Sequence, residues 1–480
     1  MDISKLSLLE IVEKLRQREV TSEELVKYYI DRIEEYKDYN AVLEVFEDAL
    51  DRAREMDEKI KQGFEGKLAG VPVIIKDNIL YKGKKATCAS RFLEDYVAQY
   101  SSTVVEKLIE SGAVIIGRAN MDEFAMGGSN ENSAYGVCHN ALDFDRVAGG
   151  SSGGSAVSVA KSLCACALGT DTGGSVRQPS SFNGLVGMKP TYGRVSRYGI
   201  VAFASSLDQV GPITKTVKDN AYLLSVISGY SKYDETSKKE EVEDYLSKID
   251  GDIKDLKIGV CSEVKELVKG LPVEKTYFDL IEKLKSQGNE IVEVSIKDLS
   301  LVMACYYIIA PAEATSNLGR FDGVKYSRRE KGCQDIDEIY VKSRTAGFGK
   351  EVKRRIMLGN FVLSSGYFDA YYNKAKKVQQ RLKKQTLDAL ASCDVLLLPT
   401  TCGEAFKIGE KIEDPISMYK EDIFTTLANI TGLPALTLPC GKGENGMPLG
   451  MQFVGKEFEE SKLYNLADYI ERRRSEWNMI

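Results

Sequence analysis

The sequence predicts an α/β fold whose sheet is parallel at least in part. Three observations carry this. After Leu68 a β-branched run, Val71 to Ile75, is followed by a segment of helical pattern, SSTVVEKLIESGA, and an apolar strand, VIIGRAN. That βαβ order calls for a crossover helix between parallel strands. The rhythm resumes at LKIGV and VEKTYFDLIEKLKSQG. Near the C-terminus, VLLLPTT and LPALTLPC are continuous apolar runs, the pattern of strands covered on both faces.

Taken in order, residues 1–60 are helical in pattern. Thr21 and Glu24 form a capping box ahead of LVKYYIDRIEEY. The reading is a helical arm packed on a catalytic unit spanning 61–480. The opening segment is charged and amphipathic and shows no cleavage site, so a cytoplasmic protein is expected. Of the 480 residues 43% are hydrophobic and 28% charged, ordinary for a globular protein with a large core. No apolar run approaches the roughly 18 residues of a membrane span, so no membrane contact is expected. Ten cysteines without a CxxC pair read as reduced, buried hydrophobes, and Cys164 and Cys166 are placed inside an apolar helix. One histidine, His139, is too few for a catalytic zinc, and no metal is expected. A net charge of -6 argues against this chain alone holding a nucleic acid, so any RNA contact is local or made by a partner.

The first strand ends at Lys76, which either points to water or, where a buried strand meets a loop, loses its proton. As a base it needs a pKa about 3 units below the usual 10.4, within the range of buried lysines. Asn120, Asp122, Glu123, Met126, Gly127, Gly128 and Ser129 follow the next strand, where α/β folds place ligands. For Asp122 and Glu123 helix-start dipole pairing is the preferred reading. Two Gly/Ser loops, Gly149 to Ser155 (GGSSGGS) and Gly169 to Ser175 (GTDTGGS), bracket a segment of small apolar residues read as one buried helix. Rigid serine-bearing loops suit a covalent catalyst, whose nucleophile must be held closely in place. Arg177 is read as bracing the second loop through carbonyls. The charged stretch Tyr230 to Ile253 marks an insertion. Arg355, among apolar neighbours, needs a carboxylate partner if buried, from the protein or from a ligand. Asp422 reads as a helix cap or as a partner for a substrate ammonium.

A Ser-His-Asp hydrolase would depend on His139, and no GxSxG elbow accompanies it. Neither glycine run is followed by the Lys-Ser/Thr pair of a P-loop. What remains is a serine nucleophile activated by a lysine.

IKDN at Lys76, GGSSGGS around Ser151 and GTDTGGSVRQPS around Ser175, in this order, resemble the amidase signature family. The resemblance, from about Leu68 to Gly455, implies a single large α/β domain whose mixed, mostly parallel central sheet has helices on both faces. It implies that Ser175 is the nucleophile, that Ser151 relays the proton and follows a cis peptide bond from Gly150, and that Lys76 is the base. It further implies an oxyanion hole from the N–H groups of Thr172, Gly173, Gly174 and Ser175. APAEATSNLGRFDGVKY and GKEVKRRIMLG resemble the A subunits of tRNA-dependent amidotransferases within that family. Such a subunit hydrolyses glutamine as amido donor. A B subunit holding ATP and Mg uses the ammonia to amidate misacylated Glu-tRNA(Gln) or Asp-tRNA(Asn), and a small C subunit completes a heterotrimer. The likeness then implies that Arg355 grips the glutamine carboxylate and Asp422 its amino group, with Tyr306, Gly128 and Ser129 nearby, and that this chain carries no cofactor. A free-standing amidase acting on another small amide is the alternative; retention of Lys76, Ser151 and Ser175 speaks against a non-catalytic scaffold.

Overall fold

The computed structural model describes residues 2–325, 327–412 and 414–479. Tyr326, the last residue of the APAEATSNLGRFDGVKY segment, lies outside them.

Eleven strands form one sheet: β1 (Val42–Val45), β2 (Pro72–Lys76), β3 (Val114–Ala119), β4 (Cys166–Asp171), β5 (Val186–Lys189), β6 (Gln209–Thr214), β7 (Ile258–Cys261), β8 (Ile291–Val294), β9 (Val395–Pro399), β10 (Ala435–Lys442) and β11 (Pro448–Gly455). Their order is β1-β3-β2-β4-β6-β5-β10-β11-β9-β7-β8. Parallel pairing joins β3, β2 and β4 on one side and β9, β7 and β8 on the other. The stretch from β4 through β9 and the β1 edge are antiparallel. The sheet is therefore mixed, with a smaller parallel share than expected. One reason is local: β10 and β11 are joined only by residues 443–447, too few for a crossover.

Every residue of β2, β3 and β4 is buried, the polar Lys76, Arg118, Thr170 and Asp171 near their C-terminal ends included. β2 lies between the other two, with Lys76 at its C-terminal end opposite Ala119. The first sixty residues are not helical throughout. Thr21 and Glu24 do form their capping box, but β1 pairs antiparallel with β3 and makes this segment part of the sheet.

The segment between the two serine loops departs from its expectation. Its helix is only Gly153–Ala160; Ser162 then takes a positive φ of 54°, and the chain turns into β4. Cys164 and Cys166 lie in that turn and strand rather than in a helix. Cys166 to Leu168 pair with Val73 to Ile75. A short apolar run cannot be assigned to helix or strand by periodicity; here the open edge of β2 decides.

The helix Gly153–Ala160 packs on β2, β4 and β6 and fixes the first serine loop against them. Gly154 meets neighbouring backbone directly: a Cβ there would overlap Ala41 O and both the N and O of Asn120. Gly154→Ala is expected to cost about 1–3 kcal/mol through overpacking, read as a lowered Tm in calorimetry.

The charged stretch from Tyr230 to Ile253 forms neither helix nor strand, yet Tyr245 within it is buried against Tyr464. One helix among the described residues, Leu299–Leu318, is by length and composition apolar enough to cross a membrane, a longer apolar run than the sequence reading recognised. Half of it is buried, and it packs against the helices Lys350–Leu363 and Lys374–Leu390 as a core helix does.

Candidate active site

The C-terminal end of β2 brings Lys76 under the first serine loop. Its Nζ lies 2.7 Å from Ser151 Oγ, 2.9 Å from Thr170 Oγ1 and 3.3 Å from Thr170 O. Lys76 is fully buried, and burial lowers its pKa to about 7, against the opposing pull of Asp122, Asp171 and Asp208. The neutral amine has two N–H groups, which the Thr170 oxygens can accept, and one lone pair, which can take the Ser151 hydroxyl proton. An ammonium in the same place has no lone pair to offer.

The peptide bond between Gly150 and Ser151 is cis. Gly150 N–H donates to Gln178 Oε1 at 2.8 Å, and Gln178 Nε2 donates to Gly128 O at 2.6 Å. Ser129 is buried behind this loop, where its Oγ makes no hydrogen bond among the described residues. Ser151 is fully buried, whereas Ser175 keeps 7% of its surface exposed. The Ser175 carbonyl accepts from Ser152 N–H at 3.1 Å. Among the described residues no hydrogen bond joins the Ser151 and Ser175 hydroxyls. Catalytic contacts of this kind commonly tighten only around bound substrate.

The second serine loop is held from inside by Asp171, which accepts from the N–H groups of Gly174 (2.9 Å) and Val176 (3.1 Å) and pairs with Arg177 at 3.0 Å. Burial would raise this carboxyl, but the Arg177 guanidinium and its hydrogen bonds hold it well below the usual carboxylate range. Arg177 reaches one main-chain carbonyl, Thr425 O, at 2.9 Å, and the side-chain amide carbonyls of Gln452 and Asn429. Its contact with the loop itself is to the Asp171 carboxylate rather than to carbonyls, because a fully buried guanidinium needs a countercharge. The oxyanion-hole set is corrected too. Gly174 N–H is already taken by Asp171, which leaves Thr172, Gly173 and Ser175 as the candidate donors.

Asp122 and Glu123 start no helix-dipole pair. Asp122 accepts from the backbone of Asn130 and Asn132. Glu123 accepts from Ser90 Oγ and from Gly349 N–H at 2.8 Å, tying the loop to the start of the helix that carries Arg355. Burial raises their carboxyls, to about 6 for Asp122 and about 7 for Glu123. His139 stacks on Phe144 with Nδ1 2.6 Å from that residue's carbonyl and takes no part in the site.

Beyond the loop Gly169–Ser175, several of the other expected residues converge. Tyr306 packs on Gly173, where a Cβ would come within 2.6 Å of its hydroxyl. Asp422 Oδ1 faces Gly128, 3.8 Å from where a Cβ would stand. The Asp422 carboxylate does not cap its helix: it accepts from Tyr307 Oη at 3.1 Å, and burial raises its pKa to about 7. Arg355 is buried, donates from Nε to Glu351 Oε1 at 2.8 Å, and its Cζ lies 5.5 Å from the ring centres of Phe203, Tyr307 and Tyr419. Tyr419 Oη donates to the same Glu351 oxygen at 2.9 Å. Burial acts against the Arg355 charge, but Glu351 and the tyrosines outweigh it, raising its pKa well above the ordinary value. Arg355 and Asp422 thus meet at Tyr307, the first over its ring and the second at its hydroxyl.

Sequence reasoning missed Thr170, Tyr307, Glu351, Tyr419 and Gln178. Glu351 had a signal, since it precedes Arg355 by one helical turn. The others had none: adjacent tyrosines at 306 and 307 do not reveal which one meets Asp422.

The Amidase family model matches residues 24–464. The A subunit of the glutamyl-tRNA(Gln) amidotransferase of Thermoanaerobacter pseudethanolicus is 50% identical over 476 residues, covering 98% of this chain and 97% of that one. Its counterpart from Persephonella marina is 47% identical over 473 residues, with 98% and 97% covered. Among solved structures, the A subunit of the glutamyl-tRNA(Gln) amidotransferase of Thermotoga maritima superposes with a TM-score of 0.81 at 41% identity, over 98% of this chain and 95% of that one. The native peptide amidase of Stenotrophomonas maltophilia gives a TM-score of 0.81 at 28% identity, with 99% and 98% covered.

Proposed function

This chain belongs to the amidase family, and from that premise we propose that it is the glutamine-hydrolysing subunit of a tRNA-dependent amidotransferase, a carbon–nitrogen ligase with glutamine as amido donor. The observation that carries the substrate is that Arg355 and Asp422 meet at Tyr307, the first over its ring and the second at its hydroxyl, next to the Tyr306 that packs on the loop holding Ser175. A simple amide has no use for both charges. The relatives near 50% identity, which bear the name of the amidotransferase A subunit, support the wider assembly.

In the proposed reaction neutral Lys76 takes the Ser151 hydroxyl proton while Ser151 takes that of Ser175. Ser175 Oγ then attacks the glutamine side-chain carbonyl carbon. The oxyanion forms against the N–H groups of Thr172, Gly173 and Ser175, each such donor being worth about 3 kcal/mol. Return of the proton through Ser151 to the amide nitrogen releases ammonia and leaves a glutamyl ester on Ser175. Water, activated by the same relay, hydrolyses the ester to glutamate. The ammonia passes to a B subunit, which holds ATP and Mg and acts on misacylated Glu-tRNA(Gln), or on Asp-tRNA(Asn), with a C subunit completing the complex.

Substrate class is tested at Arg355. Arg355→Lys keeps a charge but loses the planar fork that matches a carboxylate. It is expected to raise KM for glutamine by about 10- to 100-fold while hydrolysis of butyramide, which lacks both charged groups, stays unchanged. Equal losses on both substrates, or vigorous wild-type turnover of butyramide beside poor turnover of glutamine, would favour an amidase for another small amide.

A further inference from the structure

We propose that Asp122 is a positioning residue for the Lys76–Ser151 pair, holding the Ser151 peptide in place and supplying a negative charge that restores part of the basicity Lys76 loses on burial. This rests on the reading of Lys76 as the base.

Asp122 is fully buried on the loop that leaves β3. Its backbone N–H donates to Ser151 O at 3.2 Å, so it grips the same residue that Lys76 reaches from the other side at 2.7 Å. Its carboxylate is packed against glycine on two sides: a Cβ at Gly127 or at Gly150 would collide with it. The acceptor contacts are to Asn130 N–H at 2.9 Å, Asn132 N–H at 3.2 Å and Asn132 Nδ2 at 3.4 Å. No arginine or lysine forms an ion pair with it among the described residues. This sets it apart from Asp171, which Arg177 neutralises directly. Asp208, the third carboxylate acting on Lys76, is bound by Thr172 Oγ1 at 2.6 Å and by the N–H groups of Phe203 and Ala204. Cys88 also acts on Lys76, and burial keeps its thiol protonated.

Burial alone would make Lys76 a weak base, since each unit lost in pKa weakens its pull on a proton. A carboxylate without a cation of its own restores part of that basicity, and of the surrounding charges Asp122 acts on Lys76 most strongly. The amine is thereby poised near neutral pH, where its free form is plentiful and still basic.

The test is the pH profile of glutamine hydrolysis, run on the full chain in its native complex. Wild type should show kcat rising with pH, with a midpoint near 7, Asp422 being confined to KM. Asp122→Asn removes the charge at nearly constant volume. It should move that midpoint down by about one pH unit and lower the plateau by about 10-fold, as a weaker base requires. Asp122→Ser, smaller and able to accept from Asn130 N–H, should show the same shift. A folded variant with a lowered plateau and an unmoved midpoint overturns the proposal, because packing alone would do that. Failure of both variants to fold, judged by circular dichroism, would assign the carboxylate to loop stability and overturn it as well. If the wild-type profile has no rising limb, or Lys76→Met keeps the limb, the underlying reading of Lys76 fails, an outcome distinct from either of these.

Discussion

Ser175→Ala should abolish glutamine hydrolysis, by about 10⁴-fold or more, in a protein that remains folded. The structural basis for separating the two effects is specific. The main-chain carbonyl of Ser175 accepts from Ser152 N–H, a bond alanine keeps. Its hydroxyl makes no hydrogen bond among the described residues, so its removal leaves no buried partner unsatisfied. The loop itself is held by Asp171 and Arg177, which the substitution does not touch. Ammonia release measures the activity, and thermal unfolding followed by circular dichroism measures the fold. Activity within tenfold of wild type would end the assignment of Ser175 as nucleophile.

Lys76→Met is the second large effect, expected at about 10³-fold or more in kcat. The sign of the pH dependence follows from which form works. In the proposed mechanism the neutral amine is the active form; it predominates above a pKa of about 7 and is lost as pH falls through that value. Wild-type kcat should rise from acid to neutral pH and then level, and the variant should lose that limb. Asp422 also titrates near 7, and its ionised form would bind a substrate ammonium, so its protonation at lower pH should appear in KM. Separating kcat from KM across pH therefore distinguishes the two groups. Stability should hold in Lys76→Met, because a buried amine costs more to desolvate than the thioether that replaces it. A variant with full kcat would show that Ser151 needs no base at position 76.

Much of the site could be read without coordinates, because its parts are short and chemically distinctive. Lys76 at a strand end and serines in two glycine-rich loops announce a lysine-activated serine once histidine and P-loop chemistry have been set aside, and the resemblance to the amidase signature family then implies amide chemistry. Arg355 announced itself by needing a countercharge, although the sequence left open whether protein or ligand supplies it. The fold supplies one part, Glu351, which also ties Tyr419 to the same oxygen. Asp422 was legible as a charge near a strand, but its partner Tyr307 was not.

What the sequence determined alone was therefore the kind of fold, the candidate reacting groups and the loops that bear them, since these rest on local pattern and on side-chain chemistry. Tertiary structure decided the rest. Residues 166–168 became strand because β2 offered an edge. Gly174 was withdrawn from the oxyanion donors because Asp171 reached it first. The basicity of Lys76 was set by burial and by carboxylates from β4 and from the loops after β3 and before β6. Pairing and electrostatics of this sort depend on distances between residues far apart in the chain, and those distances exist only once the sheet has closed.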